Sequence, residues 1–334
     1  MRKKIIAVIA GLGVTVMTVS AAQAATITWN DVCDETYGAA VGAKVFDEKL
    51  QELSGGTMQI DLYLDGLLGS EQESMQGIQL GTLDVFRGNA SSLSDYGAEV
   101  LGATGLPYLF KDMEEFEEMA ASPLGQEILD SVPEECGFVA LAWLVEGPRN
   151  LFITAEAWEK LGKPDHISLD MMQDLSIRVP GTELLTQTMK ALGAQPLEIS
   201  YSELVNSLHS GNIDGAENGI GQYLSQEFYQ AAPYFIPDAH IFGCGVVLMN
   251  ADTWNSFNEE QQGWLKEAGK AASDACYEYN MQQEQLCLDQ FEELGVTLLP
   301  VTDIEEWQAA CEEVYSSQSE EAQAVIQRIR DHDY

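Results

Sequence analysis

From Glu259 to Glu293 the chain runs 35 residues without a proline. Read as one helix at ~1.5 Å per residue, this stretch is about 50 Å long. One compact domain in a chain of this size cannot enclose such a helix. Ala268, Ala272, Ala275, Tyr279 and Leu286 recur along it, the pattern of a helix laid across two domains. The rest of the chain must therefore supply two bodies for it to lie against.

The first 24 residues read as a leader that is removed. Arg2, Lys3 and Lys4 form a basic start, Ile5 to Val19 an apolar core, and Ala22 to Ala24 a small-residue cleavage site. No cysteine follows that site, so lipid anchoring is not expected. No later segment supplies the ~20 apolar residues of a membrane helix. The reading is an exported, soluble chain of 310 residues, enough for about two domains. Removing three basic residues and no acid takes the net charge from -38 to -41. Nucleic acid and anionic lipid are poor partners for such a surface. The acids read as a solvated, repulsive face, with a specific basic partner as the alternative. Six cysteines (33, 136, 244, 276, 287, 311) are scattered without C-x-x-C. Cys276 and Cys287 fall in the long helix about 16 Å apart, too far to bond each other.

Elsewhere the pattern alternates. Strands are expected at Thr26 to Trp29, Met58 to Leu64, around Asp84, at Phe138 to Leu144, Ser176 to Val179 and Gly245 to Met249. Helices are expected at Tyr37 to Leu53, Ser70 to Leu80, Thr182 to Leu192, Ser202 to Ser210 and Ile304 to Ile329. This is an α/β layered arrangement. One echo stands out: Ser70-Glu71 with Gly81 and Asp84 parallels Ser202-Glu203 with Gly211 and Asp214. It is either a capping pattern met twice or a sign of two similar lobes facing each other.

Chemistry is sparse. Histidines 166, 209, 240 and 332 form no metal-ligand cluster, and no nucleophile elbow, P-loop or dinucleotide loop occurs. No catalytic residue, metal or cofactor is assigned. Three internal arginines carry more information: Arg87 in "DVFRGNA", Arg149 in "EGPRNLFI" and Arg178 in "SIRVPG". Each sits among strand-like apolar residues, where a guanidinium is costly without an acid partner. That partner is either one of the 54 acids of the chain or the carboxylate of a ligand held by arginine's planar fork. Arg87 and Asn89 are two residues apart on extended chain and so share a side.

The order of segments resembles the solute-binding proteins of tripartite ATP-independent periplasmic (TRAP) transporters over nearly the whole exported chain. The motifs are "LLGSEQESMQGIQLGTLDV" (67–85), "LPYLF" (106–110), "EGPRNLF" (146–152), "LSIRVPG" (175–181), "ALGAQPLEISYSEL" (191–204) and "HSGNIDGAEN" (209–218). The resemblance implies a two-lobed periplasmic solute-binding fold with a long helix spanning both lobes. It also implies a non-enzymatic protein that closes on a small organic acid and delivers it to TRAP membrane subunits. Lobes of 25–146 plus about 244–283, and 147–243 plus about 284–334, go with that reading, as does a monomer. By resemblance Arg178 binds the ligand carboxylate, Arg149 is a second contact, Tyr201 packs on the ligand and Asn218 hydrogen-bonds it. Asn89 reaches the cleft, and Arg87 completes the set. Gly181 and the neutral Asn89 depart from sialic-acid-binding relatives and weaken a sialic-acid reading. The alternatives are a receptor for an ATP-driven importer, a sensor, or a secreted carboxylate-using enzyme. Trp29 and Trp143 read as core.

Overall fold

One nine-stranded sheet runs through the protein, in a computed structural model that describes residues 25–334. The expected leader, 1–24, lies outside the described residues. The strands are β1 (Ala25–Asn30), β2 (Met58–Tyr63), β3 (Val85–Asn89), β4 (Phe138–Ile153), β5 (Ser176–Val179), β6 (Gln195–Glu198), β7 (Gly215–Gly219), β8 (Tyr234–Asn250) and β9 (Thr297–Leu298). Their spatial order is β2-β1-β3-β8-β4-β7-β5-β6, with β9 on β8. The outer trios are parallel, and the pairs β3–β8, β8–β4 and β4–β7 are antiparallel.

This order is nearly symmetric about its middle. The first half is β1, α1 (Gly38–Ser54), β2, α2 (Glu71–Leu80) and β3. The second is β5, α3 (Glu183–Ala191), β6, α4 (Tyr201–His209) and β7. Asp84 and Asp214 do the same work in each half. Asp84 accepts from Thr28 N on β1 at 2.9 Å, and Asp214 from Ser176 N on β5 at 2.8 Å. The sequence echo therefore reflects two similar units, but its register needs a correction. The counterpart of Ser70 is Ser200, not Ser202, because each of these serines stands just before its helix and contacts the glutamate three residues on. Ser70 forms a full capping box with Glu73, and Ser200 Oγ donates to Glu203 at 2.6 Å. Glu71 and Tyr201 are thus equivalent first residues of α2 and α4.

β4 and β8 are long strands common to both halves. Their pairing slips between Ala140 and Ala142, Val145 and Gly147, and Arg149 and Leu151, and such irregularities bend a sheet locally. The apolar run Phe138 to Leu144 has both faces covered. Phe138 and Trp143 join a core with Phe86, Phe116 and Leu124, while Leu141 and Leu144 join one with Trp29, Phe46 and Leu50. The second half has two more cores, around Leu151, Ile177 and Trp307, and around Phe152, Tyr223 and Phe235. Trp29 and Trp143 are core residues.

Following α5 (Ile220–Ser225), the long helix α6 (Glu259–Leu294) begins with an Asn258–Gln261 capping box and stops at Gly295. Its Leu265, Ala268, Ala272 and Cys276 lie in the first half's core, its Cys287 and Phe291 in the second's. It therefore spans both. The approach of α1 to α6 depends on Gly42, where a Cβ would stand 2.9 Å from the Ala272 carbonyl. The single helix expected at Ile304 to Ile329 is instead three: Ile304–Ala310, Glu312–Ser316 and α7 (Glu320–Arg330). Ser319 accepts from Ala322 N and starts the last one afresh. The sequence places 284–334 in the second lobe, yet Val325, Ile326 and Ile329 of α7 pack in the first half's core. All six cysteines are buried and free.

Candidate ligand site between the two halves

β3, β5 and β7 end at the gap between the halves, and α2 and α4 bring their first residues to it. One cavity lies there. Arg87, Asn89, Arg149, Arg178, Tyr201 and Asn218 all line it, together with Val32, Cys33, Tyr37, Glu71, Glu146, Pro180 and Gln222. All six residues named from sequence are therefore brought together. The three arginines are not alike.

Arg87 is fully engaged within the first half. Nη2 and Nε reach Asp31 at 3.1 and 3.3 Å, and Nη1 reaches Asn89 Oδ1 at 2.7 Å and Glu146 at 3.3 Å. Burial would deprotonate such a guanidinium, but Asp31 and its other neighbours hold its pKa well above the usual value. Burial raises the pKa of Glu146, against the pull of Arg87 and a 2.7 Å bond from the Tyr37 hydroxyl. Gly245 makes room, since a Cβ there would stand 2.4 Å from Arg87 Cδ.

Arg149 is held as a fork by Glu217: Nε to Oε2 at 2.6 Å, Nη2 to Oε1 at 2.8 Å. Glu217 has no solvent exposure. Burial would raise its pKa, but Arg149 and His240 pull it down to about 2. His240 Nε2 lies 3.5 Å from Glu217, and its Nδ1 lies 2.7 Å from Asp238. Burial would lower the imidazole, but Asp238 and Glu217 push it up to about 9.

Arg178 differs. It is 2% exposed, and its one protein acceptor among the described residues is the Ile199 carbonyl, 2.8 Å from Nε. No acid among the described residues forms an ion pair with it. Burial, only partly offset by Glu217 and further aided by Arg149, brings its pKa down to about 10. Beside it, the Tyr201 hydroxyl is buried without a partner. Asn218 Oδ1 is occupied by Gly219 N at 2.8 Å, while its amide NH2 has no protein acceptor among the described residues. The second half thus presents two guanidinium arms, a hydroxyl and an amide, all lacking acceptors. Such a donor set fits a carboxylate and its adjacent oxygen.

Glu71, Glu146 and Glu217 were missed as site residues in the sequence, where 54 acids hide any particular three. All three nevertheless stand inside recognisable segments, "LLGSEQES", "EGPRN" and "DGAEN". Gln222, Ser225 and Gln226 were also missed. They fall at i, i+3 and i+4, one face of a helix, and reach the other half. Gln222 Nε2 donates to Cys33 Sγ at 2.9 Å, while Ser225 Oγ and Gln226 Nε2 donate to Asp34 at 3.2 and 2.9 Å. With these contacts made, the cavity volume is ≈ 40 Å³, space for a few waters. A ligand of ten or more heavy atoms enters only when the halves part.

The model of bacterial extracellular solute-binding protein family 7 matches residues 32–322. The chain belongs to this family. A solute-binding protein of Roseobacter denitrificans is 27% identical over 92% of this chain and 91% of its own. A crystal structure of a TRAP periplasmic solute-binding protein from Bradyrhizobium, in complex with galacturonate, is 27% identical with a TM-score of 0.85 over 92% of this chain and 99% of that one. Another, from Roseobacter denitrificans with bound L-galactonate, is 25% identical with a TM-score of 0.82 over the same shares. This family-7 chain shares their two-lobed architecture, with the cavity lying between the lobes. Among its described residues no helix is long and apolar enough to cross a membrane.

Proposed function

We propose that this family-7 protein captures a sugar acid in the interlobe cleft and delivers it to the membrane subunits of a TRAP transporter, without chemical change. Arg178 carries the reading. A buried guanidinium with no internal acid is costly by itself, and a bound carboxylate supplies what the fold withholds. Tyr201 and Asn218 add donors beside it, and the relatives crystallised with galacturonate and L-galactonate favour a polyhydroxylated acid. Arg149 and Arg87 have internal partners, so they act by shaping and polarising the cavity as much as by touching cargo. The lobes that go with this reading are 25–146 with about 244–283, and 147–243 with about 284–334, the last helix reaching back to the first lobe. The protein works as a periplasmic monomer.

The test is calorimetric titration with L-galactonate, D-galacturonate and D-glucuronate, followed by mass spectrometry of the recovered acid. Tight one-to-one binding and an unaltered acid are expected. No binding of any of the three, or conversion of one, overturns the proposal.

A further inference from the structure

The cavity has a second unpaired charge, of opposite sign. Glu71 lines it from the first lobe, half-buried at the first residue of α2. Its Oε1 accepts from Asn89 Nδ2 at 2.9 Å and Ser92 Oγ at 3.4 Å, and Oε2 receives no donor among the described residues. No cation among the described residues pairs with it. Of the other acids at the cavity, Glu217 is paired with Arg149, and Glu146 shares Arg87 with Asp31; Asp34, next to the lining residue Cys33, is held by donors from Thr36, Ser225 and Gln226. Arg87 cannot help, because Asp31, Asn89 and Cys33 already occupy its arms. The cavity is therefore polar along its length, an unpaired guanidinium on one lobe and an unpaired carboxylate on the other.

Resting on the sugar-acid reading above, we propose that Glu71 is a specificity residue that restricts cargo to acids with a single carboxylate. With one carboxylate on Arg178, the far end of the molecule meets Glu71. A hydroxyl there donates to the free Oε2. A second carboxylate there offers no proton and places like charges together in a water-poor space, which disfavours the complex strongly. Rejection by an unpaired like charge is a usual route to discrimination between molecules of the same shape.

L-Galactonate and galactarate make the comparison clean, because they share one six-carbon hydroxylated chain and differ only in whether the second end is CH2OH or carboxylate. Titration of the full-length exported protein is expected to show galactarate at least about 100-fold weaker than L-galactonate. That figure follows from a like-charge cost of several kcal/mol. In Glu71→Gln, which keeps an acceptor and the side-chain shape, the ratio should narrow by about tenfold or more, chiefly through a gain for galactarate. Equal binding of the two acids by the native protein overturns the proposal, and so does an unchanged ratio in Glu71→Gln. If L-galactonate binding is lost in Arg178→Met while native protein holds both acids equally, the capture reading stands and this one falls. If neither acid, nor D-galacturonate or D-glucuronate, binds native protein, both fall.

Discussion

Arg178 Nε donates to the Ile199 carbonyl at 2.8 Å, and among the described residues that guanidinium has no other acceptor. Cargo and fold therefore make opposite demands on the side chain. Arg178→Lys keeps charge but loses the fork, so affinity for L-galactonate should fall by about 1.5–3 kcal/mol. Arg178→Met should bind more weakly still, while the ligand-free protein melts no lower than native. Titration and thermal melts on both variants check this. A large loss of apo stability in Arg178→Met would mean an internal partner exists.

Arg149 should behave in the reverse way. Arg149→Met strands the buried Glu217 carboxylate and should cost about 3–5 kcal/mol of apo stability. Adding Glu217→Gln in the same chain should recover most of it. Urea unfolding of the single and double variants measures the difference, and equal stability of Arg149→Met and native protein would refute the structural pairing.

The Asp238–His240–Glu217 cluster gives stability a pH signature. His240 has a folded pKa raised from the ordinary 6.5 to about 9. Its contribution is complete below pH 6.5 and is lost as pH rises through about 9. Glu217, lowered from 4.5 to about 2, contributes above pH 4.5 and loses that contribution as pH falls toward about 2. Apo melting temperature should decline between pH 6.5 and 9.5, and His240→Gln should flatten the decline. Parallel curves for the two proteins would contradict the assignment.

The contacts of Gln222 with Cys33 and of Ser225 and Gln226 with Asp34 hold the lobes together, and the Ser225 and Gln226 pair does so from outside the cavity lining. Ser225→Ala/Gln226→Ala should raise the open population and lower apparent affinity in proportion. Cys33 reports this directly, since it lies in the cavity wall and is 1% exposed. Alkylation of Cys33, followed by peptide mass spectrometry, should be several-fold faster in the ligand-free double variant than in native protein. Cys136, buried in the first lobe's core, serves as the reference thiol. Equal Cys33 rates would show that these bonds do not govern opening.

Most regular elements were legible in sequence because local rules fix them. Gly55 and Gly81 take left-handed φ of 62° and 72° where α1 and α2 stop. The period-two pattern of Met58–Tyr63 follows its alternating burial. β8 was only half legible. Its first residues, Tyr234 to Cys244, include Pro237 and a positive φ at Ala239, and they become strand through pairing with the distant β4 and β9. At the site, sequence identified which residues gather but not their partners. Pairing of Arg149 with Glu217 joins residues far apart in sequence, and among so many acids nothing local marks the right one. Arg178 was singled out through the resemblance of "LSIRVPG", because the residues alone left its partner open between an internal acid and a ligand.

The two strands shared by both lobes also dictate when the chain can fold. β3 pairs with residues 245–249 of β8, and α1 packs on residues 265–276 of α6. The N-terminal lobe thus waits for segments made more than 150 residues after its first strand. Until then Phe86 and Phe46 lack the part of their cover that β8 and α6 supply, and a partly synthesised chain exposes apolar surface that invites aggregation. Pairings so distant in sequence also slow the search for the native arrangement. No single cut in this polypeptide releases a self-sufficient lobe, so each lobe reaches its stable form only as the other does.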